Sequence, residues 1–242
     1  MPQSLPEELA GLAALPRPVF GHAESVANRA LGYRHAHPWG QFAYALAGVL
    51  DVRTDTGRFI APPQRAVWIP AGVVHQVRCS ADTAIRSLYI EHSVWPGTQC
   101  RVIGVNALLR ELIRTFSGLP VDYDTEGDAG RLVAVLIDQL LAAPQEQLIL
   151  PVPQDPRLRA LCRRLQAHPE LPTGLAELGL QHSVSQKTLS RLFLRETGMT
   201  FRTGRQRMRL LSALPALSRG ERVTDVALAC GYESLSAFIA AF

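Results

Sequence analysis

Close to its end the chain reads Val226-Ala227 and then Cys230-Gly231-Tyr232-Glu233-Ser234-Leu235-Ser236-Ala237-Phe238. A short helix with an apolar face stops at a glycine, a serine stands where an N-cap is needed, and a second helix begins with small residues. The same grammar occurs once before, between Leu175 and Arg195, around Ser185-Gln186-Lys187-Thr188-Leu189-Ser190-Arg191-Leu192-Phe193. In that earlier copy Leu189, Leu192 and Phe193 fall at i, i+3 and i+4 and make a buried stripe. Gln186, Lys187, Ser190, Arg191 and Arg195 are left to face a groove or its phosphates, and Gly198 supplies a left-handed stop. Between the copies, Arg202 to Leu214 reads as a connecting helix with Met208, Leu211 and Leu214 turned inward. Two helices that enter successive major grooves, about 34 Å apart, need such a rigid spacer. A lone helical hairpin would decide little; a tandem pair in this order points to a reader of double-stranded DNA.

The charge distribution agrees. The formal net charge is only +4, yet arginines and Lys187 crowd the stretch from Arg157 to Arg222. Guanidinium groups fork onto phosphates, and clustered positive charge releases counterions from a duplex. A solvated helix surface has the same composition, so it is the motifs inside this stretch that favour DNA.

Composition excludes several other classes. A hydrophobic share of 47% with 19% charged residues over 242 positions fits a globular protein of two domains rather than a disordered chain. Phe42 to Leu50 is too short to span a bilayer, and Leu132 to Leu141 is interrupted by Asp138. The start, Met1-Pro2-Gln3 with Glu7 and Glu8, lacks the basic and apolar segments of a signal peptide, so a cytoplasmic location without membrane contact is expected. Cys79, Cys100, Cys162 and Cys230 show no C-x-x-C spacing and read as scattered reduced thiols.

Upstream, residues Gly32 to His92 look β-rich. Phe42 to Arg53 is one apolar run, Asp55-Thr56-Gly57 a tight turn, and Ala66-Val67-Trp68-Ile69 stops at Pro70-Ala71-Gly72. Many short strands at close spacing suggest a small barrel or sandwich. Helical periodicity follows Asn106 through Leu108, Leu109, Leu112, Ile113 and Phe116, ending at Gly118 and Pro120. A second helix, Arg131 to Ala143, is apolar on nearly every side, which calls for two sets of neighbours: its own barrel and the same helices of a second subunit. Burial wholly inside its own domain is the other reading. Pro144 to Pro156 is a stiff linker, and Pro156 opens the next helix.

In the β-rich part stands His35-Ala36-His37-Pro38-Trp39-Gly40-Gln41. On a strand, residues i and i+2 share a face, so His35 and His37 point together. His75, on a neighbouring strand, can complete a facial set of imidazoles of the kind that holds zinc, nickel, copper or iron. Three histidines lining a polar pocket is the simpler alternative. Trp39, Tyr44, Trp68 and Tyr89 are candidates for the same cavity or for plain core, and Arg34, Arg65 and Arg86 for an anionic effector or the solvent.

Two resemblances sharpen these readings. The last third resembles the AraC family of bacterial transcription regulators, carried by Ser185-x-x-x-Leu189-x-Arg191-x-Phe193, Glu196-Thr197-Gly198, Arg207-x-Arg209-Leu210-Leu211-x-Ala213 and Gly231-Tyr232-Glu233-Ser234-x-Ser236-x-Phe238. It implies that Lys187, Ser190 and Arg191 face bases in the first reading helix, and Leu235, Ser236, Ile239 and Ala240 in the second. Mostly apolar residues there suit thymine methyls. Gly204 stands where the family usually has tryptophan, with an expected loss of about 1 kcal/mol in helix propensity and of an aromatic anchor. The family continues past the position of Phe242 with a glycine-proline turn and a covering helix. The second unit is therefore expected to be truncated, with Phe238 and Phe242 exposed and DNA binding weakened. Residues 30 to 92 are similar to the paired motifs of the cupin superfamily, which implies a ligand set of His35, His37 and His75 with Gln41 in place of the usual glutamate, around a divalent transition metal such as Zn, Ni, Fe or Mn.

The expected architecture is α+β: a cupin-like β-barrel with flanking helices, then an all-α domain with two helix-turn-helix units. Residues 1–143 form the sensor and dimerisation domain, 144–156 the linker and 157–242 the DNA-binding domain. The expected function is a sequence-specific transcription regulator, not an enzyme, working as a homodimer on an operator and answering to a small molecule or metal in the barrel. The alternatives are a metal-dependent cupin oxygenase or isomerase fused to a helical domain, and a defective repressor fragment that only dimerises.

Overall fold

The computed structural model describes residues 14–22, 32–79, 83–146 and 149–241. The chain divides into two compact units, Met1–Asp55 with Phe59–Ile149 and Thr56–Arg58 with Leu150–Phe242. The first is rich in β-sheet and the second is helical, which makes the chain α+β.

The strands are β1 (Val19–Phe20), β2 (Gly40–Ala43), β3 (Ala45–Ala47), β4 (Leu50–Thr54), β5 (Gly57–Ala61), β6 (Arg65–Ile69), β7 (His75–Arg78), β8 (Ala84–Ile85), β9 (Leu88–Ile90), β10 (Arg101–Gly104), β11 (Gln145–Glu146) and β12 (Ile149–Pro151). One sheet has the order β1-β9-β2-β6-β10-β11; in another, β4 lies between β5 and β7; β3 pairs with β8. The run Phe42 to Arg53 thus breaks into three strands in three sheets. Its register shifts between Ala45 and Ala47, and Gly48 turns the chain at φ +81, where a Cβ would lie 2.5 Å from the Thr83 hydroxyl oxygen. Strands β1 and β10 lie outside the segment 32–92 that the sequence marks as β-rich.

Alternation along the strands sorts side chains into two cores. On β6, Ala66 and Trp68 join Phe42, Leu88, Ile90 and Ile103 in a core covered by the helices α1 (Ala107–Phe116) and α2 (Asp128–Ala142). Val67 and Ile69 face the other way, onto Val52, Phe59 and Val77. Gln41 lies between Gly40 and Phe42 and takes the side opposite Phe42, away from the helices. Helix α1 starts where the periodicity places it, with the Asn106 side chain accepting the Leu109 N–H at 2.8 Å, and buries Leu109, Ile113 and Phe116. Helix α2 buries Val133, Leu136 and Leu140 but leaves Val135 45% and Leu141 51% exposed. The proline-rich segment 144–156 carries β11 and β12.

The second unit comprises α3 (Pro156–Ala167), α4 (Leu175–His182), α5 (Gln186–Thr197), α6 (Phe201–Ser218), α7 (Val223–Ala229) and α8 (Leu235–Ala241). Its helices begin on the residues that the sequence nominates. Asp155 caps α3, and Ser185 Oγ accepts the Thr188 N–H at 3.1 Å to open α5. Ser234 Oγ accepts the Ala237 N–H at 3.2 Å to open α8. Gly198 and Gly231, at φ +71 and +80, stop α5 and turn the chain after α7.

One expectation fails here. At Gly204 a Cβ would fall 2.9 Å from Cζ of Phe193, so that ring packs closely on α6 at this position. Phe238 is 2% exposed, packed with Ala213, Val226, Ala227 and Cys230, so the second unit closes its own small core. Phe242 and residues 1–13, on which the reading of the chain start relies, lie outside the described residues. Among the described residues no helix is long and apolar enough to cross a membrane.

Candidate functional site

The three histidines converge. His35 donates its N–H to the His75 carbonyl at 2.9 Å and receives the His75 N–H at 2.8 Å, an isolated antiparallel bridge that sets the two side by side. His37, two residues on, shares the face of His35. All three are buried, with exposures of 1%, 3% and 0%, and Gln41 among them is 3% exposed. One ring nitrogen from each imidazole lies within 4.8 Å of the other two.

Hydrogen bonding fixes what those rings present. Nδ1 of His35 lies 3.0 Å from the Tyr33 carbonyl, Nδ1 of His37 2.7 Å from that of Trp39, and Nδ1 of His75 2.8 Å from that of Val73. A carbonyl only accepts, so each Nδ1 carries the proton and each Nε2 keeps a lone pair. Gln41 Oε1 lies 3.2 Å from His37 Nε2 and 3.0 Å from His75 Nε2. Four acceptors thus meet with no donor among them. Rotating the Gln41 amide by a half turn would offer N–H groups to His37 and His75, but Nε2 of His35 is buried without a protein partner in either case.

Burial also keeps the rings neutral. Desolvation pushes His37 down to about 4 and His75 down to about 3, the latter with added repulsion from the neighbouring imidazoles, and desolvation lowers His35 as well. Neutral imidazoles are the ligating form. At Zn–N distances of about 2.0–2.1 Å, two nitrogens on one ion stand at most about 4.2 Å apart, so the donor set fits an ion after a small inward movement of the rings.

Two of the four aromatic candidates belong beside this site. Trp39 stacks on His37 at 5.6 Å and 9°, and Tyr89 lies 5.0 Å from the same ring. The Trp39 indole N–H is buried with no protein partner. Tyr44 and Trp68 belong to the core under the helices. Arg34 pairs with Asp55 and Arg65 with Glu146, while Arg86 donates to the Ile85 carbonyl at 2.6 Å, so the candidate anion binders are engaged within the protein.

In the second unit, α5 buries Leu189 and Phe193 and turns Gln186, Lys187, Arg191 and Arg195 to solvent, with Ser190 half-buried. Gln186, Ser190 and Arg191 also line a groove of about 730 Å³ whose far wall includes Phe201, Arg202 and Arg205. On α8, Ser236 and Ala240 are exposed and Ile239 is 62% exposed, whereas Leu235 is half-buried against the Phe238 core. The sequence reading places Glu196 in a family motif but misses its contact: its carboxylate in the last turn of α5 accepts the backbone N–H of Gln154 and of Asp155.

Comparison with known proteins agrees with both halves. Residues 18–143 match the AraC-like ligand binding domain, and residues 181–242 match a helix-turn-helix domain. The chain belongs to the AraC family of transcription regulators. It is 36% identical over 209 residues to the HTH-type transcriptional regulator NimR of Escherichia coli K12, covering 86% of this chain and 77% of NimR. It is 30% identical over 110 residues to the HTH-type transcriptional regulator RipA of Corynebacterium diphtheriae, covering 46% of this chain and 31% of that one. Among solved structures, ToxT from Vibrio cholerae aligns over 93% of this chain and 91% of its own at 9% identity, with a TM-score of 0.36. The AraC-like transcriptional activator CuxR aligns over 81% and 77% at 17% identity, with a TM-score of 0.38. This AraC-family member is a DNA-binding regulator with a ligand-binding domain, not an enzyme.

Proposed function

We propose that this regulator reads its operator with α5 and α8 and answers to a divalent transition metal, or to a small molecule, held by His35, His37, His75 and Gln41. In this reading residues 1–143 are a cupin-type sensor and dimerisation domain, 144–156 the linker and 157–242 the DNA-binding domain. Gln186, Lys187, Ser190, Arg191 and Arg195 serve the first groove; Leu235, Ser236, Ile239 and Ala240 serve the second, chiefly through apolar contact. One observation carries the metal assignment. Three imidazoles with every Nδ1 committed to a carbonyl aim their remaining lone pairs at one buried spot, which a cation would satisfy and solvent does not reach.

When bound, the metal supplies a positive centre that neutralises four converging acceptors. The chain's own residues do the rest: Tyr33, Trp39 and Val73 orient the rings through their carbonyls, and Trp39 stacks flat on His37. Sensing requires the effector to bind one arrangement of the protein more tightly than another, since equal affinity shifts nothing. The apolar residues that α2 leaves exposed, Val135 and Leu141, make that helix the proposed contact with a second copy.

A mobility shift on the DNA upstream of its own gene, with and without chelator and at several salt concentrations, tests this. Retardation that disappears with chelator supports metal sensing, and retardation that ignores it, with no metal bound by the purified protein, removes the metal. Failure to retard DNA in low salt removes the operator reading itself.

A further inference from the structure

We propose that Arg209 is a positioning residue that sets the angle between the two reading helices, and with it the spacing of the DNA boxes that the chain accepts. This rests on the reading of α5 and α8 as the DNA-facing helices. Arg209 sits on the connecting helix α6, so its place in the fold is between the two units rather than on either reading surface.

Its guanidinium makes two unlike contacts. Nε donates to the Pro169 carbonyl at 3.1 Å, in the loop that leads into α4, and thereby grips the entrance of the first unit. The guanidinium carbon lies 5.6 Å from the centre of the Tyr232 ring, in the turn of the second unit. Tyr232 in turn meets Phe238 edge-on at 5.2 Å and 76°, and Phe238 is the buried anchor of α8. One side chain therefore touches the segment that launches the first helix pair and the ring that seats the second reading helix.

The neighbouring geometry shows how closely those parts meet. Gly231 lies at φ +80, and a Cβ there would stand 2.8 Å from Cα of Glu170, 2.9 Å from Nη2 of Arg209 and 3.1 Å from the Pro169 oxygen. The turn of the second unit thus presses against the backbone of the loop, with the arginine wedged beside it. One helical turn below, Arg205 donates to the carbonyls of Leu171, Pro172 and Thr173 in the same loop. Among the described residues the hydrogen bonds of Arg205 fasten α6 to the first unit, whereas Arg209 reaches the second as well.

A guanidinium suits this place because it is planar, keeps its charge and offers a face for stacking and an edge for hydrogen bonding together. Lysine has one charged point and no face. With that edge and face turned onto a carbonyl and a ring, its contribution to DNA binding comes through alignment and not through a phosphate contact. Each base pair added between two boxes rotates one against the other by about 34° and moves it about 3.4 Å, so a rigid reader discriminates sharply while a hinged one does not.

The test uses the full chain and duplexes that the wild type itself selects from random DNA. Variants of the selected site carry one base pair more or fewer between the boxes, or only the first box. The wild type is expected to lose at least about 10-fold in affinity on changing the spacing by one base pair. Arg209→Met is expected to bind the selected site about 10-fold more weakly, to change less than about 3-fold with spacing, and to bind the single box like wild type. Its slope of log affinity against log salt stays unchanged. A wild-type spacing profile in Arg209→Met overturns the inference. So does an equal loss on the single box, or a salt slope reduced by about 0.9, the mark of a lost phosphate contact. Tyr232→Leu, which leaves the Pro169 bond in place, gives the same relaxed profile if the inference holds and the wild-type profile if it does not; it serves where Arg209→Met does not fold. Should the wild type itself show no dependence on spacing, the reading of two DNA-facing helices falls and takes this one with it.

Discussion

Glu196 accepts the backbone N–H of Asp155 at 3.0 Å, and the same oxygen takes the N–H of Gln154 at 2.8 Å. The last turn of α5 is thereby fixed to the first residues ahead of α3. Arg159 also holds this strip, donating to the Pro153 carbonyl at 2.9 Å. Hydrogen bonds to a charged acceptor are worth more than neutral ones, and partial exposure reduces them. Glu196→Ala is expected to cost about 1–2 kcal/mol in urea unfolding of the chain. Glu196→Gln, which keeps an accepting oxygen, costs less. Equal stability of all three proteins would show that the latch carries no load.

The buried histidines are expected to make the β-rich unit sensitive to acid. Their folded values, about 4 for His37 and about 3 for His75, lie below the value near 6.5 of an unfolded chain. The unfolded state then binds more protons between those limits, so their stabilising effect is complete above pH 6.5 and lost as pH falls toward the folded values. Each histidine contributes a slope of up to about 1.4 kcal/mol per pH unit in that window. Melting followed in the presence of chelator is expected to be flat from pH 8 to 7 and to fall steeply below 6.5. His75→Asn, with one fewer buried ring, has a shallower fall.

Gln41→Glu replaces an amide with a carboxylate at 3.0 and 3.2 Å from two imidazole nitrogens. A negative ligand strengthens attraction to a divalent ion, so zinc affinity by competition with a chromophoric chelator is expected to rise at least about 10-fold. His75→Ala is expected to abolish stoichiometric binding. Unchanged zinc stoichiometry in that variant would rule out coordination by the triad.

Arg191→Ala removes an exposed guanidinium from the proposed reading face of α5. A loss of about 1–3 kcal/mol on the selected site, with relaxed preference at one base pair, is expected. Arg219→Ala is the control: that residue pairs with Glu221 at 2.6 Å at the end of α6, and its loss leaves site preference unchanged.

Val135→Glu together with Leu141→Glu places charge on the exposed stripe of α2 without touching its buried residues. Sedimentation of the variant is expected to show monomer where the unaltered chain shows dimer. A monomeric unaltered chain at micromolar concentration would remove the proposed interface.

The helical unit was the more legible in sequence because its punctuation is local. Ser185, Gly198, Gly231 and Ser234 act on residues within a turn of themselves, so their spacing alone marks helix ends. The sheet unit was less so. Nothing within Phe42 to Arg53 announces three strands, since the break depends on Gly48 lying against Thr83. His35, His37 and His75 could be grouped from strand parity and motif spacing, but the tautomer lock on their Nδ1 atoms depends on carbonyls whose direction only the folded backbone sets. At Gly204 the propensity cost is local and readable, whereas the close approach of Phe193 from another helix is set by the fold. Glu196 and Arg209 stand in the family motifs, but their contacts could not be found from spacing, because each acts on a loop some forty positions earlier in the chain.

The reciprocal backbone bonds between His35 and His75 bear on what the proposed site would ask of an incoming ion. A binding cradle built from floppy side chains must be assembled anew at every encounter, and the delay and energetic penalty of assembly fall on the ligand. Here the main chain does the assembling during folding. If the triad holds the proposed ion, the ion meets rings whose spacing the backbone has already set, and the ordering cost of binding is correspondingly small.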